Sequence, residues 1–186
     1  MTLVGRFEGG LGPGFHVLSD RVRAHFWRIR GARLGSKVRI GSGCRILRPW
    51  CVTAGERAQF EHGVFVKVTE DGALLSFGDQ VFVGCGTEFD VSRRVIIGAN
   101  VLIAPGCFIT DHSHRHSAVA TIASQGCESA PVTIGDDVWL GAHAIVLAGV
   151  TIGNGAIIAA NSVVNSDIDT MTIAAGSPAR VVGVRT

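Results

Sequence analysis

Residues 132–164 read Val132-Thr133-Ile134-Gly135-Asp136-Asp137-Val138-Trp139-Leu140-Gly141-Ala142-His143-Ala144-Ile145-Val146-Leu147-Ala148-Gly149-Val150-Thr151-Ile152-Gly153-Asn154-Gly155-Ala156-Ile157-Ile158-Ala159-Ala160-Asn161-Ser162-Val163-Val164. Steps of six from Ile134 land on Leu140, Val146, Ile152, Ile158 and Val164, so every position in the series is aliphatic. In a chain that is 47% hydrophobic, six such hits in one register arise by chance about once in a hundred. Four residues beyond each stand Val138, Ala144, Val150, Ala156, Ser162 and Ile168, which are small or β-branched apart from none longer than isoleucine. Directly after each stand Gly135, Gly141, Leu147, Gly153, Ala159 and Asn165. Three linked columns that agree make a repeat, and repeats are the first thing to settle in a sequence.

The same frame occurs upstream. Leu34, Ile40, Ile46 and Val52 form one series, with Gly35 and Gly41 after the first two. Phe77, Val83 and Phe89 form another, followed by Gly78, Gly84 and Asp90. Ile97, Ile103 and Ile109 form a third, with Gly98 and Ala104 following. The frame slips between Val52 and Phe77 and again before Ile97, and it breaks between Ile109 and Ile134.

A period of six is not helical, because apolar residues do not recur at three and four. It is also more than strand alternation. A short strand followed by a corner satisfies it, with three such units closing a triangular coil. The large aliphatic then points inward, the small residue four later also points inward, and the Gly, Ala, Asn or Asp after the aliphatic tolerates the corner. Each coil buries its stripe only against its neighbours, which makes a solenoid. The fold expected is all-β, a parallel β-helix over residues 33–170 with a loop at 110–131. A cap segment (1–32) precedes it and a tail (171–186) follows. Ser19 to Arg30 reads as a short helix, with Ser19 or Asp20 as N-cap and Val22, Phe26 and Ile29 on the face that covers the solenoid's open end. Strand twist alone favours right-handed crossovers, so the winding sense is not decided by the pattern.

Composition narrows the function. The 186 residues carry a net charge of +2, too weak a bias to argue for nucleic acid or an anionic membrane. The basic run Arg21, Arg23, Arg28, Arg30 and Arg33 reads as a solvated face. No apolar run approaches the ~20 residues of a membrane span, so no membrane insertion is expected. Met1 to Gly14 lacks the basic start and apolar core of a signal peptide. Five cysteines, an odd count with no C-x-x-C pair, fit neither a disulfide framework nor a zinc ribbon. A reducing, cytoplasmic setting is expected.

The break after Ile109 holds Thr110-Asp111-His112-Ser113-His114-Arg115-His116. Long insertions of this kind are functional or disordered. The three histidines allow three readings: an idle surface run, a metal site formed by alternate residues of one strand, or one general base.

Residues 95–183 resemble the hexapeptide-repeat acyltransferase superfamily. Within it they are similar to the maltose and galactoside acetyltransferase group and to the polysaccharide and lipopolysaccharide O-acetyltransferases. The matching stretches are Asn100-Val101-Leu102-Ile103-Ala104-Pro105, Asp111-His112-Ser113-His114, Val132 to Ala142, and Ala174-Ala175-Gly176-Ser177-Pro178-Ala179-Arg180-Val181. The resemblance implies a left-handed winding, a homotrimer with its site between two solenoids, and acetyl-CoA as co-substrate with no metal. The acceptor implied is a hydroxyl or amine of a sugar, on a polysaccharide or lipopolysaccharide precursor. It implies His112 as the base that takes the acceptor's proton, the acceptor then attacking the thioester carbonyl directly, without an acyl-enzyme. His114, Trp139 and Asp90 would bind the acceptor. Trp139, Gly141, Ala142, Ala159, Ala160 and Arg180 would bind coenzyme A. The alternative readings are packing between coils for Trp139 and a surface salt bridge for Arg180. Asp111 is not expected to partner His112, since neighbouring side chains on an extended segment diverge. A γ-type carbonic anhydrase or a non-catalytic scaffold are the alternatives on the same fold.

Overall fold

A computed structural model describes residues 13–186, with side chains from residue 17. Residues 1–12, and with them most of the Met1–Gly14 stretch read above for a leader, lie outside the described residues. From Arg33 onward the chain winds as a left-handed β-helix of about seven turns. Three parallel sheets form its faces. The first stacks Arg33–Leu34, Val52–Ala54, Leu74–Phe77, Arg94–Ile97, Val132–Ile134 and Thr151–Ile152. The second stacks Arg39–Ile40, Gln59–Phe60, Phe82–Val83, Leu102–Ile103, Trp139–Leu140 and Ile157–Ile158. The third stacks Arg45–Ile46, Phe65–Val68, Glu88–Val91, Phe108–Thr110, Ile145–Val146 and Val163–Val164.

The stacking register explains the frame slips. Between the first and second faces each coil advances six residues, as from Ile97 to Ile103, and between the second and third it again advances six, as from Ile103 to Ile109. All the variation falls at the third corner. The step there is eight residues from Ile46 to Ala54, eleven from Val66 to Phe77, eight from Phe89 to Ile97, twenty-five from Ile109 to Ile134 and six from Val146 to Ile152. Val52, the fourth member of the first series, is buried but lies two residues before the true register partner of Leu34, which is Ala54.

The core is the predicted aliphatic stripe, with Ile103, Ile109, Ile134, Leu140, Ile152 and Ile158 all fully buried. Three phenylalanines, one from each face, Phe60, Phe77 and Phe89, contact edge to face at 5.0 and 5.2 Å. Such pairs add to area burial.

The glycine that follows the aliphatic serves a purpose other than the one expected. A Cβ on Gly78 would sit 2.6 Å from the backbone of Gly98 and Ala99, so the residue is small because the next coil rests on it. The left-handed corner residue comes two positions later, at Asn100 (φ 59°) and Asp137 (φ 56°), where the short polar side chain tolerates that region.

The N-terminal helix α1 also departs from expectation. It runs through Pro13–Ile29, so Ser19 and Asp20 are interior rather than capping residues. Its buried contacts are Ala24 and the partly buried Trp27, while Val22, Phe26 and Ile29 are 62, 49 and 74% exposed. The reason lies in the first coil, whose free edge presents unpaired carbonyls that need donors. Arg23 donates to the Ile40 carbonyl, and Arg28 donates to those of Leu34 and Gly35. Arg23 and Arg28 therefore turn inward, and the apolar stripe is left outside. Arg21, Arg30 and Arg33 stay exposed, as expected of the run.

At the other end Thr172–Gly176 adds a parallel strand to the second sheet, Ile173 opposite Ile157, and Ala179–Val184 folds back antiparallel on it. Among the described residues no helix is long and apolar enough to cross a membrane.

Candidate active site

The long third corner leaves the solenoid as a hairpin. His112–His114 pairs antiparallel with Cys127–Ser129, with His112 opposite Ser129. Alternation fails where the chain turns out: Ile109, Thr110 and Asp111 are buried in succession. Because the backbone bends here, Asp111 and His112 converge. His112 Nδ1 lies 3.2 Å from Asp111 Oδ1 and 3.3 Å from Thr110 Oγ1. This corrects the expectation that Asp111 would point away. The same carboxylate accepts the backbone N–H groups of Ser92, Arg93 and Arg94, so it pins the corner below as well as the histidine above. A proton on Nδ1, donated to Asp111, would leave the lone pair on Nε2.

His112 Nε2 faces Asp90 Oδ1 at 3.8 Å. Asp90 sits on the third face, one coil below Thr110 and one above Lys67 in register. Its Oδ2 accepts from Lys67 Nζ at 2.8 Å, while its Oδ1 is shielded from solvent and has no partner. The hydrogen bond to Asp90 is the largest cause holding the Lys67 ammonium above the ordinary lysine range. A ring nitrogen and an unsatisfied acceptor thus converge on one point. A buried acceptor without a partner is costly, and a donor from outside, such as a substrate hydroxyl, would satisfy it.

The other histidines lie elsewhere. His114 is exposed, 3.5 Å from Cys127 Sγ across the hairpin, and His116 is exposed beyond it. Among the described residues no three His, Cys, Asp or Glu side chains are grouped to hold a metal.

Trp139 lies on the second face, half exposed, in register between Leu102 and Ile157. These residues line a cleft of about 160 Å³ with Asn100, Asp137, Val138 and Arg185. Gly141, Ala142, Ala159 and Ala160 follow at the next corner in two successive coils, and a Cβ on Gly141 would lie 2.5 Å from the Ala160 nitrogen. Arg180 is exposed on the returning strand and donates to the Ala179 carbonyl. His112 and Asp90 are brought together; Trp139 and Arg180 stand on another face. Sequence reasoning missed Lys67, Thr110 and Arg185. Lys67 becomes visible only once the five extra residues of its corner are known. Arg185 reaches Asp137 Oδ2 at 2.9 Å and closes one wall of the Trp139 cleft.

The comparisons agree with this architecture. Residues 131–166 match the family model described as bacterial transferase hexapeptide (six repeats). WbbJ of Escherichia coli strain K12, named for lipopolysaccharide biosynthesis O-acetyl transfer, is 35% identical over 153 residues, covering 75% of this chain and 78% of its own. Rv3034c of Mycobacterium tuberculosis, named as an acetyltransferase, is 37% identical over 171 residues, and the chain spans only 55% of its length. The solved hexapeptide-repeat acetyltransferase VCA0836 of Vibrio cholerae O1 biovar eltor, complexed with acetyl coenzyme A, superposes with a TM-score of 0.63 at 26% identity, over 89% of this chain and 78% of that one. The class is thereby defined as a left-handed β-helix transferase. The chain belongs to the hexapeptide-repeat acetyltransferase family.

Proposed function

We propose that the protein transfers an acetyl group from acetyl-CoA to a hydroxyl or amine of a saccharide, a polysaccharide or lipopolysaccharide precursor being the favoured class. The observation that carries this reading is the meeting of His112 Nε2, its other nitrogen occupied by Asp111, with the unpartnered Asp90 Oδ1. The acceptor hydroxyl gives its proton to Nε2 as its oxygen attacks the thioester carbonyl, while a neighbouring hydroxyl of the same sugar donates to Asp90 Oδ1. A C–O bond forms, the tetrahedral intermediate collapses, and the C–S bond breaks. The imidazolium then returns the proton to the departing thiolate, so no acyl-enzyme is needed. Asp111 stabilises the transient imidazolium without itself taking the proton.

In a triangular coil the corner between the third and first faces stands opposite the second face. His112 and Trp139 of one chain therefore cannot serve one reaction centre. A homotrimer in which the His112 corner of one solenoid faces the Trp139 side of the next unites them. In that cleft the pantetheine arm would lie along Gly141, Ala142, Ala159 and Ala160 beside Trp139, and Arg180 would meet a coenzyme phosphate. His114, on the exposed hairpin, would contact the acceptor. The test is release of free thiol from acetyl-CoA with a panel of mono- and oligosaccharides. Sugar-dependent release that His112→Ala abolishes supports the reading; no release with any sugar removes it.

A further inference from the structure

The weak net charge conceals a steep gradient along the solenoid axis. Residues 20–48 hold nine Lys or Arg and one acid, whereas residues 49–186 hold seven Lys or Arg and thirteen Asp or Glu. Coils stack in chain order, so this division along the sequence becomes a division in space. Helix α1 and the first coil form a cationic end, and the body behind them is anionic. The apolar stripe of α1 is at the same end. Leu18 and Val22 are 68 and 62% exposed, Phe26 and Ile29 continue the line, and the exposed Arg21 and Arg30 border it. Trp50, half exposed, lies against Gly31 just beyond the helix.

We infer that this end of the solenoid docks peripherally on an anionic lipid surface. An amphipathic helix with exposed aliphatics flanked by arginines is suited to the boundary between headgroups and acyl chains. The cations gain from the negative surface potential, and tryptophan prefers that depth. The acidic body is repelled, which stands the axis upright. A second copy fits the same face less well, because a symmetric contact would set arginines against arginines. Nucleic acid would leave the apolar stripe facing phosphates. The trimer proposed above would present three such ends side by side, and three weak contacts then act together. If the proposed transfer also holds, a lipid-borne saccharide would find His112 three coils, roughly 14 Å, beyond the first coil.

The test is co-sedimentation of the full chain with phosphatidylcholine vesicles containing roughly one-third phosphatidylglycerol, against pure phosphatidylcholine, at low and high salt. Binding is expected only to the anionic vesicles and should weaken as salt rises. Leu18→Ser with Val22→Ser, both exposed, should reduce it severalfold with an unchanged melting temperature. Arg21→Glu with Arg33→Glu should weaken it by an order of magnitude or more, from about fivefold per charge. Absent or equal binding to both vesicles overturns the inference. So does a DNA duplex that competes for the face at equal affinity, or a Leu18→Ser/Val22→Ser variant that dissociates the oligomer while vesicle binding persists. None of these readouts depends on acetyl transfer.

Discussion

Between the first and second faces, and between the second and third, each coil uses six residues; between the third and first it uses six to twenty-five. At the first corner a glycine follows the inward residue in every coil and backbone stacks on backbone, as Gly78 over Gly98, so one added carbon has no room; the second corner is as tight at Gly41 and Gly84 but carries Glu61, Ala104 and Ala159 at the same position. At the third corner Gly72 has nothing within 4 Å of where its Cβ would be. A solenoid that must keep two corners closed can vary only at the one left open. That is where the protruding hairpin emerges, with His112 at its base and Asp111 fastening it to the coil below. Rigid corners hold the fold, and the free corner carries the candidate chemistry.

The largest effect expected from this division is in stability. Gly78→Ala should cost about 3 kcal/mol, because the new methyl meets backbone that cannot move aside. That corresponds to a melting temperature lower by roughly 6–12 °C in a chain of this size. Gly72→Ala should leave it within about 2 °C. Equal losses at both positions, measured by calorimetry or circular dichroism, would erase the distinction between the corners.

Asp111→Asn sharpens the comparison from the other side. The amide turns an N–H toward a site built from N–H donors, and a loss of about 1–3 kcal/mol should follow. Turnover should fall as well, since the histidine loses the acceptor that fixes its tautomer. A variant of full stability and full turnover would show that Asp111 neither holds the corner nor orients His112.

A smaller effect is expected from the second-corner thiol Cys107, whose burial pushes its pKa up from 9.0 to about 11. Folded protein keeps a proton that unfolded chain surrenders, so the thiol's contribution is whole below pH 9 and is lost as pH rises to about 11. The stability margin of wild type over Cys107→Ala should shrink across that window, by about 2–3 kcal/mol at most. A margin that holds constant in thermal melts from pH 8 to 11 would contradict it.

The smallest effects concern the coenzyme. Arg180→Ala should raise KM for acetyl-CoA severalfold with little change in kcat, because a phosphate contact acts equally in ground and transition states. An unchanged KM would take Arg180 out of the site and direct attention to Arg185.

The aliphatic stripe made the coil legible, because its period of six is imposed by burial in every turn, as at Ile134, Leu140 and Val146. What escaped is what the period does not govern. Val52 appeared to continue the frame because corner length leaves no mark in hydrophobicity. The stripe at Val22 and Phe26 stays outside, because the end coil's bare carbonyls require Arg23 and Arg28 on the inner side, which hydrophobic periodicity does not reveal. At the site, the histidine cluster marked the loop, and the family resemblance rather than the spacing singled out His112. Its contact with Asp111 was hidden, since it depends on a bend at Thr110 rather than on residue spacing. Lys67 lies twenty-three residues before its partner Asp90, a separation set by an irregular corner.

The most direct measurement is turnover and melting temperature of His112→Ala on one preparation, with His114→Ala and His116→Ala beside it. Loss of one positioned base should lower turnover by roughly 10²–10⁴-fold, with the melting temperature within about 2 °C of wild type, as for a partly exposed residue outside the core. His116→Ala should retain nearly all activity. Near-normal turnover in His112→Ala would contradict the account, as would a loss of turnover explained by loss of the fold.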